Sequence, residues 1–197
     1  MSAIPLRNVP ATRARLTAGR VAPAGVLAAL LLVGCQAARP HATTQIHVPS
    51  DTNAELVEYI SDQPYVTAEA AYRAVYILAN NEIFEGDYDA LTAAMKSGDL
   101  VRASWDYTAD TFLDRAASGY LVARACGLHT GLNWRLFGLG RYAHRELIYR
   151  RIAHPSGEYG LISGGEFLGV LARAEEYMRQ SGRAAGKTIE LGSEPSP

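Results

Sequence analysis

No run in this 197-residue chain is long and apolar enough to cross a bilayer. The most apolar stretch, residues 21–33, is interrupted only by Pro23 and Gly25, and it falls short of the roughly 20 residues that a spanning helix needs. An excess of charge of one sign is missing too. With 19 basic against 20 acidic residues the net charge is −1, which offers no global attraction to nucleic acid. Two cysteines, Cys35 and Cys126, exclude a disulfide framework. The histidines lack metal-ligand spacing: "CGLH" gives one Cys-x-x-His with no second pair, and "AHRELIYRR" lacks the second histidine of a His-Glu-x-x-His helix. No metal and no cofactor are therefore expected. "EGDYDA" lacks the later glycine and glutamate of a calcium loop, so Asp87 or Asp89 reads as a helix cap. The glycines of "SGGEF" have neither the preceding strand nor the following Gly-Lys-Ser/Thr of a phosphate loop.

Acidic residues are also absent from the first 20 positions, which hold Arg7, Arg13, Arg15 and Arg20. A positive segment followed by a short apolar run has the layout of a secretory signal peptide. This run ends in Leu32-Val33-Gly34-Cys35, which resembles the bacterial lipobox. The resemblance implies cleavage before Cys35, a diacylglycerol on the Cys35 thiol, and a mature lipoprotein that meets the membrane through its lipid anchor. Each buried methylene contributes about 0.8 kcal/mol, so two or three acyl chains hold a protein firmly without a spanning helix. Gln36 stands where an aspartate would resemble an inner-membrane retention signal. The expected location is the cell envelope, on an outer membrane facing the periplasm if the host has two membranes.

Removal of residues 1–34 leaves 163 residues with 15 basic and 20 acidic side chains, a net charge near −5. That length suits one domain. Once Cys35 is acylated, Cys126 has no cysteine to pair with, and its setting in "GYLVARACGL" reads as buried core. Residues 35–51 are small and polar with two prolines and read as a lipidated tether. Residues 179–197 lack sustained periodicity and read as a mobile tail. The folded domain is then expected at 52–178.

Three stretches of that domain overlay without gaps: "VTAEAAYRAVYILA" from Val66, "LDRAASGYLVARACGL" from Leu113 and "ISGGEFLGVLARAEEYM" from Ile162. An apolar first position is followed in each by an N-cap residue (Thr67, Asp114 or Ser163), whose side-chain oxygen can take an orphan amide of the first helical turn. Glu166, three residues after Ser163, completes the pattern of a capping box, and Ile162 can staple onto Phe167. Apolar residues then recur near a period of 3.6, as at Phe167, Leu171, Ala174 and Met178. A shorter helical stretch precedes each copy: "NAELVEYI", "DYDALTAAMKSGDL" and "GRYAHRELIYRRI". The expected fold is all-α, three helix-loop-helix units that stack because none can bury its apolar face alone.

The second and third stretches resemble the S-layer homology domains of bacterial envelopes. The matches are Leu113, Arg115, Ala116, Leu121, Ala123, Arg124, Ala125, Gly127 and Leu128 in one, and Ile162, Glu166, Phe167, Leu171, Ala172, Arg173 and Ala174 in the other. The resemblance implies a pseudo-threefold helical bundle that binds an anionic cell-wall polymer through a motif arginine. That arginine survives only as Arg115, because Ala68 and Gly164 occupy the other two positions.

A second positive surface is expected along "NWRLFGLGRYAHRELIYRRIAH", where Arg135, Arg141, Arg145, Arg150 and Arg151 face a single Glu146 in sequence. Arginine forks suit phosphate and carboxylate, and Trp134, Tyr142 and Tyr149 stand among them. Arg115, Arg141, Arg145 and Tyr149 are the candidate ligand-binding residues, and no catalytic residue is named. The leading expectation is a non-catalytic envelope protein that binds or organises an anionic cell-wall glycan. The alternatives are an enzyme acting on cell-wall glycan with Glu166 or Asp87 as its acid, or a scaffold for an envelope protein partner.

Overall fold

The computed structural model describes residues 40–42, 47–128 and 139–182. Among these residues six helices form and no strand: α1 (Asn53–Ser61), α2 (Ala68–Asn80), α3 (Tyr88–Ser97), α4 (Arg115–Ala125), α5 (Gly140–Tyr149) and α6 (Gly164–Gln180). The domain is all-α. Cys35, Trp134, Arg135 and the tail beyond 182 lie outside the described residues.

Capping explains where most of the helices begin. Thr52, Asp87, Asp114 and Ser163 accept hydrogen bonds from Glu55, Ala90, Ala117 and Glu166 amides at the starts of α1, α3, α4 and α6. Asp87, not Asp89, is the cap of α3. Thr67 is the N-cap of α2 without making the side-chain bond. The first amides of α2 are satisfied elsewhere: Ala68 donates to the Thr111 carbonyl at 2.8 Å and Glu69 to that of Ala109 at 3.1 Å.

The same device recurs at the other long helices. Arg115 and Ala116 amides donate to the Gly160 and Glu158 carbonyls, and the Gly164 amide donates to the Gln63 carbonyl at 3.1 Å. Between these contacts lies a closed ring of backbone bonds. Val66 donates to Ile162 at 3.0 Å, Ile162 to Leu113 at 3.2 Å, and Leu113 to Val66 at 3.0 Å. All three residues are buried, so the amides that enter the apolar interior there are paired, as burial demands.

Helices α2, α4 and α6 touch one another, while α1 packs on α6 and α2, α3 on α2, and α5 on α4. The core lies among them, with Tyr72, Leu91, Met95, Leu121, Leu147 and Phe167 almost wholly buried. The α4–α5 contact is backbone to backbone. A Cβ on Gly119 would stand 2.9 Å from the His144 Cα, and one on Gly140 would stand 2.5 Å from the Ala116 carbonyl oxygen.

Two expectations change at this level. Part of the stretch read as a free tether is tied down, since residues 40–42 pair with 110–112 and Val48 is buried in the core. The capping box at Ser163 is only half formed, because the Glu166 carboxylate turns to Arg115 and leaves the Ser163 backbone. A guanidinium fork offers two charge-assisted bonds where the box would give one.

Candidate functional site

The connector after α3 turns tightly, with the Trp105 amide donating to the Arg102 carbonyl at 3.0 Å. That turn stacks Trp105 on Tyr107 at a centroid distance of 5.0 Å and sets it against Tyr120 of α4, also at 5.0 Å. The Arg102 guanidinium lies 4.9 Å over the Tyr120 ring. Opposite, the close approach of α5 to α4 brings in Leu139, Gly140 and Arg141, and the connector after α5 adds Tyr159. Together with Asp114 they enclose a cleft of about 330 Å³.

Arg141 is braced for a charge. Its guanidinium sits 4.8 Å over the Tyr142 ring and donates to the Tyr142 hydroxyl at 3.1 Å. Hydrogen bonding to Tyr159, then to Tyr142, raises its pKa further. Its Nε is buried with no hydrogen-bond partner among the described residues. Asp114, the acid in the lining, has a carboxylate oxygen taken by the Ala117 amide at 2.6 Å. The cleft therefore sets two cations and one carboxylate beside an aromatic platform.

Compared with known proteins, the chain matches no family model, no curated protein and no solved structure.

Of the four candidate ligand residues, the structure puts only Arg141 in this cleft. Arg115 gives its fork to Glu166, with Nε to Oε1 at 2.6 Å and Nη2 to Oε2 at 2.7 Å, and the hydrogen-bonded carboxylate raises the arginine's pKa. Arg145 pairs with Glu158 at 3.0 Å in an exposed position. Tyr149 stands 81% exposed at the end of α5, away from the lining. The basic field read from the sequence is correspondingly weaker. Glu158 arrives from the next connector to face Arg145, and Arg150 binds both Glu146 and the Tyr177 hydroxyl.

Gly164 explains one departure from the S-layer homology pattern. A Cβ there would collide with the Ile60 carbonyl oxygen, so no arginine fits that position. His144 is not a surface ligand either. It is 3% exposed, and burial, reinforced by nearby Arg115, pushes its pKa down and keeps the ring neutral.

Arg102, Trp105, Tyr107 and Tyr159 were not singled out by sequence. Their signal was present in "VRASWDYTAD" and "AHPSGEYG", whose turn-rich composition marks connectors but whose aromatic and arginine content exceeds what a turn requires.

Proposed function

We propose that this chain is a lipid-anchored protein of the bacterial cell envelope, acylated at Cys35, whose helical domain binds an anionic cell-wall glycan in the cleft beside α4 and α5. The observation that carries the reading is the meeting of Arg102 and Arg141 with the Trp105–Tyr107 stack in one cleft. Guanidinium forks recognise carboxylate or phosphate, and the electron-rich faces of aromatic rings attract the C–H edges of a sugar.

A pseudo-threefold arrangement of three helix-loop-helix units belongs to the same proposal. It is supported by the ring through Val66, Leu113 and Ile162, and by the way each long helix gives its first amide to the connector of another unit. It is supported also by the outer helices, each set against the long helix of the unit before it: α1 on α6, α3 on α2, α5 on α4. Relative to the S-layer homology pattern the ligand shifts from Arg115, whose fork is taken, to Arg141 and Arg102. The enzyme alternative gains no support from its two acids. Asp87 caps α3 and Glu166 binds Arg115, and neither lines the cleft.

Titrating purified anionic envelope glycan into the wild type, Arg141→Ala and Trp105→Ala tests the reading. Loss of a charge-assisted hydrogen bond should weaken binding by about 1.5–3 kcal/mol in Arg141→Ala, and added salt should weaken the wild type. Equal binding by all three proteins, or by none, refutes the glycan and turns the cleft into a candidate contact for an envelope protein.

A further inference from the structure

The chain enters the domain at a fixed place. The Ala42 amide donates to the Asp110 carbonyl at 3.0 Å, the Phe112 amide donates to the Pro40 carbonyl at 3.1 Å, and His41 Nδ1 lies 3.3 Å from the hydroxyls of both Thr108 and Thr111. Burial of Val48 holds the chain a second time. Cys35 precedes Pro40 by five residues, which extended chain covers in at most roughly 18 Å. A compact domain of about 130 residues has a radius of gyration near 14 Å and is about twice as wide as that leash. An acylated Cys35 can therefore bring to the lipid only the part of the domain around residues 40–42.

That part carries exposed apolar groups. Tyr65 is 42% exposed and meets Phe112 edge to face at 5.7 Å. Pro64, next to Tyr65, and Pro40, bonded to Phe112, are exposed as well. The described charges beside the patch are acidic: Asp62 is exposed, and Asp110 beside His41 is held below the ordinary carboxylate range chiefly by the Thr108 hydroxyl; Arg39, directly before Pro40, is the one basic residue between Cys35 and the patch. The two carboxylates outnumber Arg39, so the set does not recruit anionic lipid. Tyrosine, with an apolar ring and a polar tip, suits the boundary between headgroups and acyl chains.

We infer that the patch of Pro40, Pro64, Tyr65 and Phe112 rests on the zwitterionic headgroup layer of the bilayer that holds the Cys35 lipid, with the Tyr65 ring at headgroup depth. The inference rests on the lipoprotein reading proposed above. It sets which end of the domain faces the membrane and makes the contact independent of salt.

The test uses the mature protein extracted from membranes and reconstituted into phosphatidylcholine vesicles containing a nitroxide-bearing lipid. A fluorophore is attached through Asp62→Cys beside the patch or through Tyr149→Cys at the end of α5, while Cys126, 1% exposed, stays unlabelled in the folded protein. Intact mass reads the acyl chains on Cys35 independently. The expected result is several-fold stronger quenching at position 62 than at 149, unchanged in high salt and largely lost when Tyr65→Ser is added. Equal quenching at the two positions on acylated protein overturns the docking and leaves the anchor standing. A preference that vanishes in salt, or persists fully without the Tyr65 ring, overturns it as well. Absence of acyl chains overturns both readings.

Discussion

Adjacent glycines at the start of α6 should respond oppositely to the same substitution. A methyl group on Gly164 would run into the Ile60 carbonyl oxygen, with the carbonyl carbon at 2.8 Å and the Gln63 oxygen at 3.0 Å, whereas one on Gly165 would meet nothing within 4 Å. The neighbours of Gly164 are backbone, so relief requires moving α1 away from α6. Overpacking of this kind costs about 1–3 kcal/mol. The shift also strains the Gly164 to Gln63 hydrogen bond, a further loss of about 1 kcal/mol. Against this stands the helical preference of alanine over glycine, about 1 kcal/mol at most. Gly164→Ala should therefore lose about 2 kcal/mol, while Gly165→Ala should gain about 0.4–1 kcal/mol by restricting the unfolded chain. At roughly 3–4 °C per kcal/mol for a domain of this size, the midpoints of the two variants should differ by about 10 °C. Thermal unfolding followed by circular dichroism measures the difference. Equal midpoints would show that α6 does not start against the end of α1, and the packing of α1 on α6 would be wrong.

Phe167, wholly buried, should cost about 3–5 kcal/mol on truncation to alanine, seen as a lowered urea midpoint; an unchanged midpoint would place its ring outside the core. The Arg115–Glu166 pair is about three-quarters buried on both sides. Arg115→Ala and Glu166→Gln should each lose about 1–2 kcal/mol, and the double variant should lose less than their sum by about 1 kcal/mol. Strict additivity in denaturant titrations would mean that the pair does not form in solution. His144 makes stability depend on pH. Burial lowers its folded pKa below the unfolded value of 6.5, so as the pH falls the unfolded chain takes up a proton that the folded domain refuses. Its contribution is present above that value and is lost as the pH falls through it towards the lower folded value. Urea midpoints across this range should fall less steeply in His144→Gln, and parallel profiles would refute the assignment.

The parts of this fold that were legible in the sequence are those fixed by near neighbours along the chain. Asp114 and Ser163 announce α4 and α6 because a cap needs only its own first turn, and the spacing of Phe167, Ala174 and Met178 shows the buried side of α6. Misreadings occur where a distant residue competes for the same group. Glu166 fits a capping box, yet Arg115, 51 positions earlier, holds its carboxylate. Arg145 belongs to a basic run in sequence and to an ion pair with Glu158 in space. The cleft was the least legible element. Trp105, Arg141 and Tyr159 come from separate connectors and helices, and only the close crossing of α4 and α5 at Gly119 and Gly140 brings them together.

The ring through Val66, Leu113 and Ile162 makes the first and last parts of the domain direct neighbours. An open stack of repeats has two ends, grows by insertion and survives the loss of a terminal repeat. A closed ring has no terminal member. Adding a fourth element would force the ring open, and removing one would leave unpaired amides facing the interior. The number of backbone segments that meet there is thus set by closure. Where the chain is cut matters far less. A circular permutant with its old ends joined and new ends in the exposed turn at residues 81–83 would keep every contact of the ring.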